Sequence, residues 1–557
     1  MKKYIILPLL AALMVSTSCE KDFLEEEPLD FLAASNALNT YDDFKMSLNY
    51  LYDRVRFEFY SKGDRNNMDY IYGTDLVFDG QPDVLRFTNY EGAMNPYGDS
   101  NSVAVVHWVN FFKIISEANI ILDKIGESEM TDEQKILVEA EARYFRAFSY
   151  RTLVYLYGGV PLITEAVYEP KLDFVRATKE EVLNQTILDL QFAAENLRTK
   201  AQVSPGQVHK LVARHLLSEV YLAAGQYQNA VDAATVVIDD PSTGLMTQRF
   251  GNRISVQPGD VYWDLFQRNN QNHASNTEAL WVIQFETDVP GGAAVTTTRT
   301  GAPLYERHHA PSVRDIVING SRPFSWPIGD YTGGRGIGWA ISTVYFSNTI
   351  WQSDWTNDIR NANHNFVREF KATNPASPLY GQIISTENPP AGITVPSRAF
   401  YAYQSKVTTP FDHPANLYQN ASTFLLKDAT AGGTYTDQYM FRLAETYLIR
   451  AEAYYRLNNT TAAAADINVV RSRSNAGNVA PSAVNIDYIL DERMREFGVE
   501  EKRRLTLNRL GLLYDRVTRF NTYYNDIEPH HNLLPIPYSE IERNREAVLE
   551  QNEGYPQ

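Results

Sequence analysis

Apolar residues recur at three- and four-residue steps through both ends of the chain, and the period lapses in the middle. The clearest stretch is Asp437 to Arg473, which reads as two packed helices. Met440, Leu443, Tyr447, Leu448, Ala451, Tyr454 and Tyr455 line one face of the first. Asn458 and Asn459 break it, and Thr460 or Thr461 can cap a second helix, Ala462 to Arg473, that turns Ala463, Ile467 and Val470 inward. Ala451, Tyr454, Ala463, Ile467 and Val470 have the spacing of a tetratricopeptide helix pair, in which a small residue lets two backbones approach and an aromatic fills the gap beside it. The same offsets recur in Ser218, Tyr221, Ala230, Ala234 and Val237. One such pair cannot bury its own apolar face, so the pattern predicts a stack of pairs: a mostly α fold on a tetratricopeptide-like scaffold.

Taken in order, Asp42 to Tyr60 reads as a helix with Phe44, Leu48, Leu51, Tyr52 and Val55 on one face. Asp64 to Ser102 gathers Gly, Asn, Asp and Pro and reads as a long loop. Trp108 to Ile125 is helical again, and Thr131 to Tyr157 follows with Asp132 and Glu133 at its positive end and Gly158-Gly159 at its stop. Thr178 and Glu181 form a capping box for the next helix, and Val208 to Ala224 with Tyr227 to Ile238 make the first tetratricopeptide-like pair. From Pro241 to about Thr434 helical periodicity largely disappears. Ala279 to Phe285 is the clearest strand there, and Trp339 to Phe346 a further short element. A helix from Asp487 to Phe497, the basic segment Lys502-Arg503-Arg504 and a Pro-containing tail from Leu533 complete the chain. The expected organisation is a leader (1–18), an acidic tether (19–30), an N-terminal helical region (31–240), a loop-rich insertion with short strands (241–434) and a C-terminal helical region (435–557).

Composition narrows the function classes. A net charge of −17 argues against nucleic acid, whose phosphates require basic stripes. Met1-Lys2-Lys3, the apolar run Tyr4 to Val15 and the small residues Ser16-Thr17-Ser18 form a secretory signal before Cys19, the chain's one cysteine. A lone cysteine at the cut cannot close an internal disulfide and looks like the acceptor of a bacterial lipoprotein, although Ser16 stands where leucine is usual. The alternative is a free thiol in an uncleaved leader. Beyond Val15 no uninterrupted apolar run approaches the ~20 residues of a spanning helix, so the expected mature protein is anchored by lipid rather than inserted.

Catalytic chemistry is not visible. Carboxylates are too many for a glycosidase pair to be picked by spacing, and His308-His309 and His530-His531 lack metal-ligand spacing. Gly334-Arg335-Gly336-Ile337-Gly338 matches neither phosphate-binding fingerprint, and no Gly-x-Ser-x-Gly elbow occurs. What remains is aromatic residues in loops, whose rings can stack on the C–H face of a sugar while Asn, Asp or Arg bind its hydroxyls. Tyr90, Asn95, Tyr97 and Asp99 sit in the first long loop, and Trp326, Asp330, Tyr331, Trp351 and Trp355 in the second. For each Trp, core packing competes with ligand stacking. Trp281, inside an apolar strand, reads as core.

The motifs, in order, resemble the SusD/RagB family of Bacteroidetes outer-membrane lipoproteins. They are Cys19 with Asp22-Phe23-Leu24 and Glu27-Pro28, then Glu141 to Ala147 (EARYFRA) and Leu156 to Leu162 (LYGGVPL). Arg442-Leu443-Ala444-Glu445, Ala451-Glu452-Ala453, Asn468 to Arg471, Asp491-Glu492-Arg493 and Arg495-Glu496-Phe497 follow, and Leu534-Pro535-Ile536-Pro537, Gln551-Asn552 and Gly554-Tyr555 close the series. The segment Glu500 to Thr506 departs from the pattern, lacking the usual Gly and the Trp after the arginines. The resemblance implies a non-enzymatic binding protein without a cofactor. It would be lipid-anchored to the outer membrane through Cys19, face the cell exterior, and pass an oligosaccharide or peptide to a SusC-like TonB-dependent transporter. A tetratricopeptide assembly scaffold with no small ligand is the rival from another class. The family's binding residues lie in variable loops, so the ligand set (Tyr90, Asn95, Tyr97, Trp326, Asp330, Tyr331, Trp351 and Trp355) rests on loop placement and ring chemistry alone.

Overall fold

The computed structural model describes residues 38–60, 66–80, 87–287, 303–326, 336–427 and 431–556. The leader, the acidic tether with Cys19, and the candidate residues Asp330 and Tyr331 lie outside the described residues. The helices longer than five residues are α1 (Tyr41–Tyr60), α2 (Val103–Lys124), α3 (Asp132–Tyr157), α4 (Lys179–Asn196), α5 (Lys210–Ala223), α6 (Tyr227–Ile238), α7 (Leu443–Arg456), α8 (Thr460–Arg473), α9 (Ile486–Glu496), α10 (Arg503–Leu510), α11 (Leu513–Phe520) and α12 (Tyr538–Arg543).

Helices α2 to α8 pack each on the next, so α6 lies against α7 although the whole insertion separates them in sequence. This is the stack that the two pairs require. Ala451, Ala463, Ile467 and Val470 are fully buried where α7 meets α8, and Ala230, Ala234 and Val237 are their equivalents on α6. Arg450 ties the two pairs together: its guanidinium donates to Thr235 Oγ1 on α6 (3.0 Å) and pairs with Asp466 on α8 (2.7 Å). The predicted capping box closes at the start of α4, where Thr178 Oγ1 accepts from the Glu181 amide (3.2 Å) and the Glu181 carboxylate accepts from the Thr178 amide (2.8 Å). Helix α2 is apolar enough by composition to cross a membrane, but Ile114, Ile115, Ala118 and Ile121 are core residues.

Two expectations are corrected. The segment before Leu443 is a strand, not helix: β10 (Gln438–Arg442) pairs antiparallel with β2 (Ala279–Ile283), which takes Met440 out of α7. The cap of α8 is Asn459, whose side chain accepts from the Ala462 amide (3.1 Å), rather than Thr460 or Thr461. The basic segment Lys502-Arg503-Arg504 turns inward: Arg503 pairs with buried Asp75 (2.7 Å), and Arg504 donates to the backbone oxygens of Asp69 (2.7 Å) and Tyr72 (2.6 Å).

The insertion's strands, two to five residues long, all pair antiparallel, two of them with strands outside it. Besides β2 with β10, β1 (Val77–Asp79) pairs with β3 (Ala340–Ser342), β4 (Phe366–Val367) with β7 (Tyr403–Gln404), β5 (Glu369–Lys371) with β6 (Ile383–Ser385), and β8 (Tyr418–Asn420) with β9 (Leu425–Leu426). Ile316, Phe324, Val367, Phe370, Phe400, Tyr401 and Tyr403 give it a small core of its own.

A buried ion network fixes this insertion to the scaffold. Arg360 pairs with Asp358 (2.7 Å) and, on α9, with Glu492 (2.8 Å) and Glu496 (3.0 Å). Glu496 also takes Arg442 (2.9 Å) and Arg473, while Arg471 of α8 reaches Glu492 (2.8 Å) and Asp354 of the insertion (2.6 Å). Charges taken out of water are tolerable only when paired and hydrogen-bonded in this way.

Candidate functional site

Two tryptophans four residues apart set up the site, and they do different things. Trp351 is buried: its indole N–H donates to the Phe346 carbonyl (2.8 Å) and its ring packs edge-on against Phe366. It anchors a turn whose next residues are clamped to the scaffold, Asp354 by Arg471 and by the Gly477 amide (2.9 Å). The Trp355 carbonyl accepts from the Asn361 side chain (2.7 Å), which leaves the Trp355 ring itself 37% exposed on a fixed backbone.

Arg368 lies beneath that ring, its guanidinium carbon 4.7 Å from the centroid. It is buried, donates to the carbonyls of Asn361 (3.3 Å), Phe366 (3.2 Å) and Ser347 (2.5 Å), and faces the Glu387 carboxylate at 3.6 Å. Burial lowers the Arg368 pKa to about 10, and Glu387 opposes that shift. Glu387 in turn holds Asn348, whose amide donates to both carboxylate oxygens (3.0 Å each).

Asn348 and Glu387 stand on the wall of a groove of about 500 Å³, between the short helix Val344–Ser347 and the loop that follows β6. Val344, Ile393 and Val395 supply apolar wall, and Ser347, Thr386 and Thr394 hydroxyls. The volume falls in the range of small-ligand sites. Thr386 is distinctive: its hydroxyl is buried on this wall and has no hydrogen-bond partner, although nearly all such groups in folded proteins find one. An exposed ring, a row of hydroxyl and amide groups and an unpartnered hydroxyl together suit a neutral, polyhydroxylated ligand.

The other expected residues lie elsewhere. Tyr90 is fully buried: its ring meets Phe87 and Tyr524 edge-on and its hydroxyl donates to the Gly73 carbonyl, so it has no face to offer a ligand. Burial excludes Trp351 for the same reason. Tyr97 is 51% exposed, with its amide donating to Asn95 Oδ1 (2.9 Å) and its ring against Tyr538 of α12 (4.7 Å between centroids). This aromatic pair stands on the scaffold, not on the insertion groove. Trp326 is half-buried under Arg314, whose guanidinium sits 4.1 Å from its ring. Of the expected set none lines the groove among the described residues; Trp355 is linked to it through Arg368, which faces Glu387 on the wall. Asn348, Arg368, Thr386 and Glu387 had no motif to mark them, because their proximity comes from the β5–β6 hairpin folding back on the Val344–Ser347 helix.

The comparisons with known proteins agree with this architecture. The SusD family model matches residues 277–555, and a second model, described as starch-binding and associating with the outer membrane, matches residues 35–222. SusD-like protein P25 of Formosa agariphila is 25% identical with 97% of each chain covered. The starch-binding protein SusD of Bacteroides thetaiotaomicron is 38% identical over 130 residues, 22% of each chain. Among solved structures, a laminarin-binding SusD-like protein superposes with a TM-score of 0.65 at 22% identity, covering 93% of this chain and all of the other. A surface glycan-binding protein A from Bacteroides thetaiotaomicron, solved with laminarihexaose, gives 0.65 at 17% identity over 92% of this chain and 99% of the other. With the family model matched from the end of the N-terminal scaffold to the last residues, and the fold shared over nearly the whole chain, this protein belongs to the SusD family.

Proposed function

We propose that this chain is an outer-membrane glycan-binding protein that holds an oligosaccharide in the groove beside Trp355 and delivers it to a SusC-like TonB-dependent transporter. The observation that carries the reading is the buried, unpartnered Thr386 hydroxyl on a polar groove wall, which Glu387 and Arg368 link to an exposed, rigidly mounted indole. A sugar hydroxyl would satisfy Thr386, and a pyranose face would cover Trp355. The relatives support the ligand class: one is named for binding starch, one for laminarin, and one was solved with laminarihexaose. Outer-membrane placement is supported by the family description matched over residues 35–222 and by the leader that ends at Cys19. The groove is suited to binding rather than hydrolysis. Among the described residues lining it Glu387 is the single carboxylate, where glycoside cleavage uses two.

The test is affinity electrophoresis of the full-length chain in detergent against starch, laminarin and other plant and microbial polysaccharides. One or more neutral glycans should retard it. Trp355→Ala should weaken that binding about threefold to tenfold, the worth of one ring contact. No retardation by any glycan, or retardation unchanged in Trp355→Ala, would refute the assignment of the groove.

A further inference from the structure

Resting on the reading of the groove as a glycan site, we propose that Glu387 makes it a charge filter: uncharged glycans enter, and uronate- or sulfate-bearing ones are turned away. The filter follows from how the charges around the groove are spent. Among the described residues no lysine or arginine lines it, and Glu387 is its one acidic side chain. Arg368, behind the wall, is 5% exposed and covered by the Trp355 ring; its Nη donors go to three backbone carbonyls and its Nε faces Glu387. What remains of its field is directed into the Glu387 carboxylate. That carboxylate is itself 40% exposed and fixed by two hydrogen bonds from Asn348, so it presents negative charge at a constant position.

An anionic sugar seated in the groove would therefore lose water from its carboxylate or sulfate, meet no free cation and stand beside a like charge. A neutral sugar meets none of these costs. It can also donate a hydroxyl to Glu387, a charge-assisted bond stronger than one to a neutral acceptor. The overall charge of −17 works in the same direction at long range.

Glu387→Gln tests the proposal, because glutamine keeps one of the two acceptor oxygens that Asn348 uses while removing the charge. The full-length chain in detergent is titrated against laminarin and soluble starch, and against polygalacturonate and carrageenan, in parallel. For the native protein a neutral glycan should bind and both polyanions should bind more weakly. In Glu387→Gln the neutral glycan should bind more weakly, having lost its charge-assisted bond, while the ratio of polyanion to neutral-glycan affinity rises about threefold to fivefold, the order of one exposed charge pair. A second readout needs no variant: raising salt from 0.1 M towards 1 M shortens screening from about 10 Å to about 3 Å and should narrow the native discrimination. Polyanions binding the native protein as tightly as neutral glycans would overturn the proposal, as would discrimination unmoved by both salt and Glu387→Gln. If no glycan of either class binds, the glycan reading falls and the filter with it. Anionic binding with neutral binding intact removes the filter alone.

Discussion

Thr386 and Trp355 carry different parts of the proposed recognition, and each can be removed without touching the other. The Thr386 hydroxyl has no partner in the free protein, so Thr386→Val removes a buried polar group that stabilises nothing. Its thermal stability should equal or exceed the native value while glycan affinity drops about threefold to tenfold, one hydrogen bond's worth. A loss of stability in parallel with affinity would show that Thr386 is structural. Trp351→Ala should do the reverse of a binding-site change and cost about 3–5 kcal/mol of folding stability, because its ring is core. The sequence offered Trp351 and Trp355 as equals. They differ through the Phe346 carbonyl and Phe366, which take the first indole, and through Arg368, which supports the second from below. Tyr90 was likewise indistinguishable from a ligand-facing tyrosine, since Tyr524 and His531, which cover it, come from the far end of the chain.

Helices were legible where their determinants are local. The apolar steps of α3, the Thr178–Glu181 box and the small-residue offsets shared by α5–α6 and α7–α8 are set by neighbours within a few positions, and each appears in the structure. The stacking of α6 on α7 followed from the need of each pair for cover. Ala463→Leu tests that packing: it forces a larger side chain between α7 and α8 at a fully buried position and should destabilise by about 1–3 kcal/mol, read as a lower Tm with glycan binding retained. The strand before α7 was missed because β10 is defined by pairing with β2, far away in sequence, and not by its own period. The insertion was illegible for the same reason. Its strands are too short to show alternation, and its core joins residues such as Phe324, Phe370 and Phe400 that no local pattern connects. The groove depends on that long-range arrangement, so its wall residues had no signature.

The ion network makes scaffold and insertion one mechanical unit, and acid should dissolve it. Burial alone would raise Asp75, but Arg503 and Arg516 reverse this and hold it at about 2. Glu496 is treated likewise by Arg473, Arg442 and Arg360, also to about 2. Such depressed carboxylates contribute stability that is fully present above their unfolded values and is lost as pH falls towards 2. Glu141 has the opposite sign. Burial pushes it up to about 7, so its ionisation penalises the folded state above that pH, and the penalty is relieved on acidification. Burial holds His209 at about 4 and His309 at about 3, so the unfolded chain takes up these protons first, and Tm should fall from about pH 6.5 despite the relief at Glu141, more steeply as the paired carboxylates protonate. A Tm that holds or rises from about pH 6.5 to about 4.5 would contradict this balance.

The most direct test of groove capture is diffraction from crystals soaked with a retained oligosaccharide. We expect sugar density stacked on Trp355, with hydroxyls on Thr386 Oγ1 and on the Asn348–Glu387 pair. Sugar ordered elsewhere, for instance on the Tyr97–Tyr538 pair, with the groove empty, would contradict it.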